Sequence, residues 1–488
     1  MLQYLKEESN VIYTENGAVT NESSGDFCLD LFATIGAIRR ESDREIESRF
    51  IKAYTENKDI ATKILFFARD VRGGLGERRV FRVILKWLAY NGAETVKKNL
   101  SYVAEYGRYD DLLVLMGTPC EKDALSVLKE QFEKDMAAAS ENGTVSLLAK
   151  WLPSVNASNK DTVKIAKKTA KYFGMDDASY RKALSSLRAY VKIIENNLRE
   201  KDYTFDYEKQ PSKAMFKYRK AFIRNDAERY GEFIRKAEKG EAQLNASTLA
   251  PYELVEPFMR ENGLYLTKEE EASVNAAWNS LPDYASDENA IAVIDTSGSM
   301  YWDGKPLPAA VALSLGIYFA ERNKGYFKNY FIEFSARPQL IEIKGKTFAD
   351  KLRYLTTFNE VANTNIEAVF DLILNAAVKN KLPQSELPSK LYFISDMEFD
   401  EAVENAELSN FENAKAKFEK FGYRLPKIVF WNVSSRNVQQ PVTKNEVGVA
   451  LVSGCTPRLF SMMASGETDP YGFMMEVLKS ERYKRIVA

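Results

Sequence analysis

A carboxylate and two hydroxyls follow one another at alternate positions after a short apolar segment. The segment runs from Ala290 to Ile294, and Asp295, Ser297 and Ser299 come directly after it. A short apolar run bounded by turn residues is typical of a buried strand in a parallel sheet, and such sheets bind ligands at the carboxyl ends of their strands. Carboxylate and hydroxyl oxygens on one loop suit a hard cation such as Mg²⁺. The pattern therefore predicts a cation site after this strand.

The Asp-x-Ser-x-Ser spacing resembles the first ligand loop of the metal-ion-dependent adhesion site in von Willebrand factor A domains. The threonine loop of that family is matched by Thr364, which precedes an amphipathic stretch, and its second aspartate by Asp396, which ends another apolar run. The resemblance implies that one Mg²⁺ or Mn²⁺ ion is ligated by Asp295, Ser297, Ser299, Thr364 and Asp396. The alternative is a domain that keeps these loops but binds no metal, with the two serines capping a turn.

The chain contains no histidine. This excludes Ser-His-Asp and Cys-His nucleophile activation, zinc sites of the His-Glu-x-x-His type and imidazole acid–base catalysis. Hydrolysis by carboxylates and metal ions stays possible, because two-metal nucleases need only acidic ligands. The predicted cation site, however, is rich in hydroxyls and poor in charge. The sequence therefore favours ligand capture over chemistry, and we expect a protein that is not an enzyme.

Length, composition and cysteine usage indicate a globular chain of more than one domain. The 488 residues exceed the roughly 250–300 that a single core usually supports. Hydrophobic residues make up 45% and aromatic residues 12%, which excludes a disordered chain. The N-terminus lacks a signal-peptide pattern, no apolar run is long enough for a membrane helix, and three isolated cysteines support neither a disulfide framework nor a cysteine metal site. We expect a cytoplasmic protein without membrane contact.

The pattern of apolar residues changes near residue 280. From about 27 to 280, apolar residues recur with the 3.6-residue period of amphipathic helices, and short Gly, Asn or Pro breaks separate the helices. Helix pairs in series predict an α-helical solenoid of HEAT type or a ring, although no fixed repeat period is found. After residue 280, strand-like and helix-like runs alternate, as in a doubly wound α/β domain. We therefore predict an irregular leader (1–26), a helical domain (27–280) and a Rossmann-like von Willebrand A domain (281–488).

Motifs spread along the helical part resemble one family. They are TENGA (14–18), LDLF (29–32), FFARDVRGG (66–74), GRYDDLL (107–113) and LAKWLPS (148–154). These motifs are similar to those of an uncharacterised, TROVE-related family that resembles the Ro autoantigen. Ro-like proteins join a ring of helical repeats to a C-terminal von Willebrand A domain, and they bind non-coding and misfolded RNA through the ring. The resemblance thus implies the same two-part fold and an RNA partner, but no individual RNA contact is carried over.

Positive charge is concentrated in the second half of the helical part. The whole chain has a formal net charge of −1, yet residues 150–240 contain 22 Lys and Arg against 12 Asp and Glu. Three stripes of basic residues at helical spacing lie within this stretch, each beside apolar positions. The residues expected to bind RNA phosphates are Lys164, Lys167, Lys168 and Lys171; Arg181, Arg188, Lys192 and Arg199; and Lys213, Lys217, Lys220 and Arg224. The alternative is that these helix faces are only solvated.

The sequence supports two functions. The first is a non-catalytic Ro-like RNA-binding scaffold, with RNA on the basic helices and a Mg²⁺-dependent ligand at the adhesion site. The second is a protein-interaction module, in which the cation binds a carboxylate of a partner protein and the basic faces are incidental. An RNA-processing enzyme ranks third, because no catalytic constellation beyond the cation site is visible.

Overall fold

The computed structural model describes residues 1–260, 266–285, 287–301, 305–334, 337–355, 365–401, 408–464 and 469–488. In this part of the chain, fifteen helices precede residue 280, and a six-stranded, mostly parallel sheet with its own helices follows. This arrangement confirms the predicted fold class, a helical part followed by an α/β domain. Among the described residues, no helix is both long and apolar enough to cross a membrane.

The helices before residue 280 are amphipathic, and several begin at a residue whose side chain caps the first turn. Asn57, for example, accepts a hydrogen bond from the N–H of Ile60 at 3.0 Å, which satisfies a donor that the helix itself leaves free. The helices are α1 (Leu2–Asn10), α2 (Phe27–Thr34), α3 (Asp43–Glu56), α4 (Lys58–Arg69), α5 (Arg79–Asn91), α6 (Ala93–Tyr106), α7 (Glu121–Ser140), α8 (Leu148–Trp151), α9 (Lys160–Phe173), α10 (Asp177–Tyr190), α11 (Ile194–Glu200), α12 (Ser212–Asn225), α13 (Ala227–Glu238), α14 (Pro251–Arg260) and α15 (Lys268–Asn279).

Strands and helices alternate in the rest of the described chain, after a short N-terminal hairpin. The hairpin strands are β1 (Val11–Tyr13) and β2 (Val19–Asn21). The later elements are β3 (Ala290–Asp295), α16 (Pro308–Arg322), β4 (Tyr330–Phe334), β5 (Gln339–Glu342), α17 (Phe348–Leu355), α18 (Ile366–Asn380), β6 (Lys390–Ser395), α19 (Asn410–Lys420), β7 (Lys427–Asn432), β8 (Val449–Ser453), α20 (Arg458–Met462) and α21 (Pro470–Leu478).

The order of the strands creates a switch point in the sheet. The order is β5-β4-β3-β6-β7-β8, and only the β4–β5 pair is antiparallel. The first three strands of the sheet are laid down toward one edge and the next three toward the other, so the direction reverses between β3 and β6. A doubly wound sheet binds its ligand in the crevice outside the carboxyl ends of the strands at this point.

Both faces of the sheet are covered, which explains why its central strands are continuous apolar runs. Alternate side chains of β3 enter different cores: Ile294 packs in the core that contains Leu315 of α16, and Val293 packs in the core that contains Val369 of α18. Every residue of β3 and β6 is buried. The antiparallel edge strand β5 has only one buried residue, and the sequence pattern did not predict it.

The helical part begins and ends on the sheet domain. Its first helices pack on the sheet through α2 and β8, and its last helices pack on it through α14 and α16. Two side chains also join early and late helices. Arg39 hydrogen-bonds to the side chain of Tyr252, and Arg458 donates to the carbonyls of Val71 at 2.9 Å and Ser247 at 3.1 Å. Both the early and the late helices therefore contact the sheet domain.

Residues 1–26, predicted to be an irregular leader, are folded. Residues 2–10 form α1, and β1 and β2 pair as an antiparallel hairpin. The hairpin also pairs with the sheet domain, because the N–H of Gln440 donates to the carbonyl of Asn21 at 2.8 Å and the reverse bond measures 3.1 Å. A hairpin of this size is marginal on its own, so its stability depends on contacts that a local pattern does not reveal. The domain boundaries near 26 and 280 stay predictions.

Candidate metal centre and nucleic-acid interface

Two neighbouring strands end in buried aspartates at the switch point. Asp295 ends β3, Asp396 directly follows β6, and the strands pair in parallel with Ile294 opposite Ile394. The two aspartates are 1% and 3% exposed. The parallel register therefore places two carboxylates together at the carboxyl edge of the sheet, out of contact with water.

The two carboxylates disfavour each other's ionised form. Burial raises the pKa of Asp295, and the charge of Asp396 raises it further, whereas hydrogen bonds from Ser395 and Ser297 lower it. Burial also raises the pKa of Asp396, against the opposing effects of Arg436 and a hydrogen bond from Ser299. A bound cation stabilises such a pair, because it adds positive charge beside Asp295, for which no arginine or lysine is among the causes of the pKa shift.

The two predicted hydroxyl ligands lie at the same point. Ser297 Oγ is 3.1 Å from Ser299 Oγ, and the N–H of Ser297 donates to Asp295 Oδ1 at 2.9 Å. The side chain of Ser299 hydrogen-bonds to Asp396. The structure thus brings together four of the five predicted ligands. The fifth, Thr364, lies outside the described residues.

This set of donors fits a small, hard cation. All four side chains offer oxygen, two as carboxylates and two as hydroxyls, and Mg²⁺ and Mn²⁺ prefer oxygen ligands in octahedral geometry. The carboxylates are buried yet carry hydrogen bonds that orient them, so the oxygens are positioned before any ion binds. Ligation itself stays a prediction.

Two further residues that the sequence analysis missed lie beside these groups: Ser395 orients Asp295, and Glu333 bonds to the neighbouring Thr296. Ser395 Oγ donates to Asp295 Oδ2 at 2.6 Å and accepts a hydrogen bond from the N–H of Met397 at 3.0 Å. Glu333, which is 3% exposed on β4, accepts a hydrogen bond from Thr296 Oγ1 at 3.0 Å. Ser395 could have been found, because it immediately precedes the second aspartate at the end of the same apolar run.

An arginine and a glutamate from distant parts of the chain also lie at the site. Arg436, in the loop between β7 and β8, has Nη2 2.9 Å from Asp396 Oδ2 and Nη1 3.1 Å from Glu15 Oε2. Glu15 belongs to the turn between β1 and β2. No spacing in the sequence connects these two residues, since only the folded chain brings them together.

Two of the three basic stripes lie on exposed helix faces. Those of α9 and α12 stand opposite residues that are fully buried, such as Ala166 and Phe222. The exposed basic residues are Lys164, Lys167, Lys168 and Lys171 on α9, and Lys213, Lys217, Lys220 and Arg224 on α12. α9 packs against α7 and α10, whereas α12 packs against α13 and α15. A single continuous RNA surface formed by both faces stays a prediction.

The second stripe is not one helix face. The predicted helix breaks between α10 and α11, where Lys192 adopts a left-handed φ of 51°. Arg188 points inward, and its guanidinium donates to the carbonyls of Ala149 and Leu152 and to Ser154 Oγ, each at 2.8 Å. Arg181, Lys192 and Arg199 are exposed. Arg188 therefore joins α10 to α8 and to the segment after it, and its guanidinium is directed at these acceptors and not at solvent.

Several of the exposed cations have acidic neighbours. The pairs are Lys164–Asp161 at 3.1 Å, Lys167–Asp177 at 3.4 Å, Lys168–Glu121 at 2.6 Å, Arg199–Glu200 at 2.9 Å, Lys213–Glu253 at 3.2 Å and Lys220–Glu270 at 3.3 Å. Exposed pairs of this kind contribute only about 0–1 kcal/mol. Where the carboxylate is exposed too, as in Asp161, Asp177 and Glu200, the basic residue can exchange it for a phosphate at little cost, whereas Glu270 is buried and would lose a cationic partner.

Known proteins are similar to this chain over almost its whole length. The domain of unknown function DUF2828 matches residues 14–130 and 123–289, and the domain of unknown function DUF7788 matches residues 289–482. The uncharacterized protein L728 of Acanthamoeba polyphaga mimivirus is 29% identical, with 96% of this chain and 88% of the viral protein covered. The crystal structure of the Ro (RSR) protein of Deinococcus radiodurans is similar with a TM-score of 0.41 and 14% identity, over 96% of both chains.

Proposed function

The chain belongs to the DUF2828 family, whose function is unknown, and we propose that it is a non-catalytic scaffold that binds RNA and an acidic ligand. RNA binds to the basic helix faces, and the acidic ligand binds through a divalent cation in the sheet domain. The observation that carries the proposal is the meeting of Asp295 and Asp396, both buried, at the switch point of the sheet. Two buried carboxylates beside two hydroxyls, with one arginine for the pair, form a set of oxygens that a divalent cation would stabilise.

The cation would be held by Asp295, Ser297, Ser299 and Asp396, with Thr364 as a further candidate ligand. When bound, a Mg²⁺ or Mn²⁺ ion supplies a positive centre that holds an oxygen of an external carboxylate or phosphate. The chain's own residues keep the ligand oxygens in place: Ser395 orients Asp295, and Ser299 donates toward Asp396. We infer binding and not catalysis, because the chain has no histidine and the serine hydroxyls are engaged with the carboxylates and with each other.

The RNA-binding part of the proposal rests on charge and exposure. The eight basic residues on α9 and α12 are exposed and lie in the stretch that contains 22 Lys and Arg against 12 Asp and Glu. Lysine side chains bind phosphates and position the nucleic acid, but they do not read base edges. We therefore propose binding with little sequence preference and with an affinity that falls as salt concentration rises.

A protein-interaction module without RNA is the second candidate. The observation that favours it is the partial neutralisation of α12, where Lys213 and Lys220 pair with acidic residues of the neighbouring helices. If these pairs persist, the basic faces are solvated surface and only the cation site binds a partner.

The experiment that separates the two candidates measures RNA binding directly. We expect freshly purified protein to carry nucleic acid, visible in its ultraviolet absorbance ratio. We expect nuclease-treated protein to bind a labelled single-stranded RNA in fluorescence anisotropy, with or without EDTA. Retention of RNA binding in EDTA assigns it to the helical faces and not to the cation site. Absence of binding at low salt would leave the second candidate.

The cellular compartment is part of the proposal. Cys28, Cys120 and Cys455 are free and buried, and unpaired thiols are typical of a reducing environment. We place the scaffold in the cytoplasm.

A further inference from the structure

The N-terminal hairpin carries its tip, residues 14–17, to the edge of the cation site. Thr14 Oγ1 donates to the carbonyl of Phe399 at 2.6 Å, and the N–H of Glu15 donates to Glu398 Oε2 at 2.9 Å. Both acceptors belong to the segment that directly follows the second aspartate. These bonds hold the tip at one place on the sheet domain, and that place is beside the predicted ligands.

The carboxylate of Glu15 is bound at this place by two donors. Arg436 Nη1 lies 3.1 Å from Oε2, and Asn437 Nδ2 donates to Oε1 at 3.2 Å. The other arm of the same guanidinium reaches Asp396 Oδ2 at 2.9 Å. The exposed fraction of the side chains rises from 2% for Asp396 through 24% for Arg436 to 48% for Glu15. Arg436 thus joins the buried Asp396, a predicted metal ligand, to the solvent-facing carboxylate of Glu15.

We propose that Glu15 is an internal stand-in for the external ligand and that Arg436 is the second anchor of that ligand. The inference rests on the proposed cation site and names its ligand class: an acidic side chain presented by a partner protein at the tip of a turn. The planar guanidinium of Arg436 matches the geometry of a carboxylate. It can bind one oxygen of the carboxylate while the amide of Asn437 binds the other.

The mode of presentation follows from how Glu15 is held. Gly17, the last residue of the tip, forms an antiparallel bridge with Asp400. The sheet domain therefore fixes the backbone of the tip as well as the carboxylate of Glu15. A partner that replaces Glu15 must present its acidic side chain on a similar turn. A phosphate does not reproduce this backbone pairing, which is why the geometry points to a protein ligand.

Glu15 and the partner's carboxylate compete for the same place, so docking of the hairpin and binding of the partner weaken each other. A ligand that binds only when Glu15 leaves loosens the hairpin, and a hairpin that is held more tightly weakens the ligand. Arg436 acts on the two components of the site with opposite signs, because its charge attracts the anion and repels the cation. This opposite effect distinguishes an anchor of the ligand from a residue that only stabilises the fold.

The test uses full-length protein saturated with Mg²⁺ and two end-blocked hairpin peptides in calorimetric titrations: the Glu peptide has the sequence of residues 11–21, and the Gln peptide differs from it only by Gln at the position of Glu15. The Glu15→Gln variant should bind the Glu peptide about tenfold more tightly, because the competing internal carboxylate is gone. The Arg436→Gln variant should bind it about tenfold more weakly, through the loss of a charge-assisted hydrogen bond. Mg²⁺ affinity of Arg436→Gln should equal or exceed that of the parent. Glu22→Gln is the matched control, since Glu22 is an exposed carboxylate that follows β2.

A second measurement needs no variant. In the parent protein, the Glu peptide should speed the hydrogen exchange of the hairpin amides, and the Gln peptide should leave it unchanged. The N–H of Ala18, which donates to Thr14 Oγ1 at 2.9 Å, is a suitable reporter because this bond closes the tip.

The outcomes distinguish this inference from the proposed function. If Glu15→Gln binds the Glu peptide no better than Glu22→Gln does, while both bind Mg²⁺ normally, the inference is overturned and the cation site stands. If the parent does not bind Mg²⁺, the proposed cation site fails and the inference fails with it. Stronger binding of inorganic phosphate than of the Glu peptide to the Mg²⁺-loaded parent also overturns the inference.

Discussion

The cation site and the basic helix faces hold charge in opposite ways. At the cation site, two buried carboxylates are fixed by Ser297, Ser299 and Ser395 before a ligand binds. On α9 and α12, the charges lie on long, exposed side chains. The ion pairs that some of them form are weak and leave the side chains free to move. The first arrangement suits one ion in one geometry, and the second suits a polyanion that can bind in many positions.

Because of this difference, a single substitution should have a large effect at the cation site and a small effect on the basic helix faces. A preorganised site loses its function when one ligand is removed, because the remaining groups cannot move to replace it. A diffuse surface loses affinity gradually, because each phosphate contact adds a similar, salt-dependent contribution. The two regions should therefore respond differently to mutation and to ionic strength, and four predictions use this difference.

The largest effect is expected from Asp295→Ala. We expect Mg²⁺ affinity to fall by about 100-fold or more, since even residues that only orient a metal ligand cost about 10–100-fold. RNA affinity should not change, because the basic faces lie on other elements. Calorimetry with Mg²⁺ measures the first effect and fluorescence anisotropy the second. Unchanged Mg²⁺ affinity in a folded variant would exclude the site.

The basic face of α12 is tested by reversing its four charges together, with Lys213, Lys217, Lys220 and Arg224 each replaced by Glu. We expect the slope of log affinity for RNA against log salt to fall by about 3, at roughly 0.7–0.9 per phosphate contact, with Mg²⁺ affinity unaltered. The matched control replaces four exposed lysines outside residues 150–240 with Glu: Lys52, Lys86, Lys379 and Lys420. Equal slopes for the two variants would mean that only net charge matters and that α12 is no specific surface.

The support of the cation site is tested by Ser395→Ala. The variant removes the 2.6 Å hydrogen bond to Asp295 Oδ2 but leaves all predicted ligands in place. We expect Mg²⁺ affinity to fall about tenfold, as for other groups that orient a metal ligand. Ser389→Ala is the control, since Ser389 Oγ donates to the carbonyl of Asn289 at the opposite end of β6. A Ser395→Ala variant with the control's affinity would mean that Asp295 is held without this bond.

The smallest effect concerns Arg188, which the sequence analysis placed in an RNA-binding stripe. We expect Arg188→Ala to destabilise the protein by about 2 kcal/mol, because three partly buried acceptors lose their donor. Arg181→Ala, an exposed neighbour on the same helix, should stay within about 0.5 kcal/mol. Urea unfolding measures both. A fall in RNA affinity for Arg188→Ala without a loss of stability would restore Arg188 to the RNA-binding set.

Much of the sheet domain and of its site could be predicted from the sequence. Strands such as β3 and β6 are buried on both faces and therefore appear as continuous apolar runs, and the side chains that follow them must meet when the strands pair in parallel. Asp295, Ser297 and Ser299 follow such a run directly, whereas Asp396 and Thr364 are implied by the resemblance to von Willebrand A domains. The 3.6-residue period of the helical part was equally informative, because each helix buries one face.

Other features depended on contacts between residues that are far apart in the chain. The hairpin of residues 11–21 was predicted to be irregular, because its strands are three residues long and are stabilised by Gln440. Lys192 breaks a helix that periodicity alone would continue, and Arg188 turns inward because carbonyls of a preceding segment lie within reach. Glu15 and Arg436 come from opposite ends of the sequence and meet at the cation site. The sequence by itself determined which segments are buried and which side chains follow the central strands, because burial and pairing impose local patterns. Only the tertiary structure decided which distant groups complete the site, because such contacts leave no periodic trace in the chain.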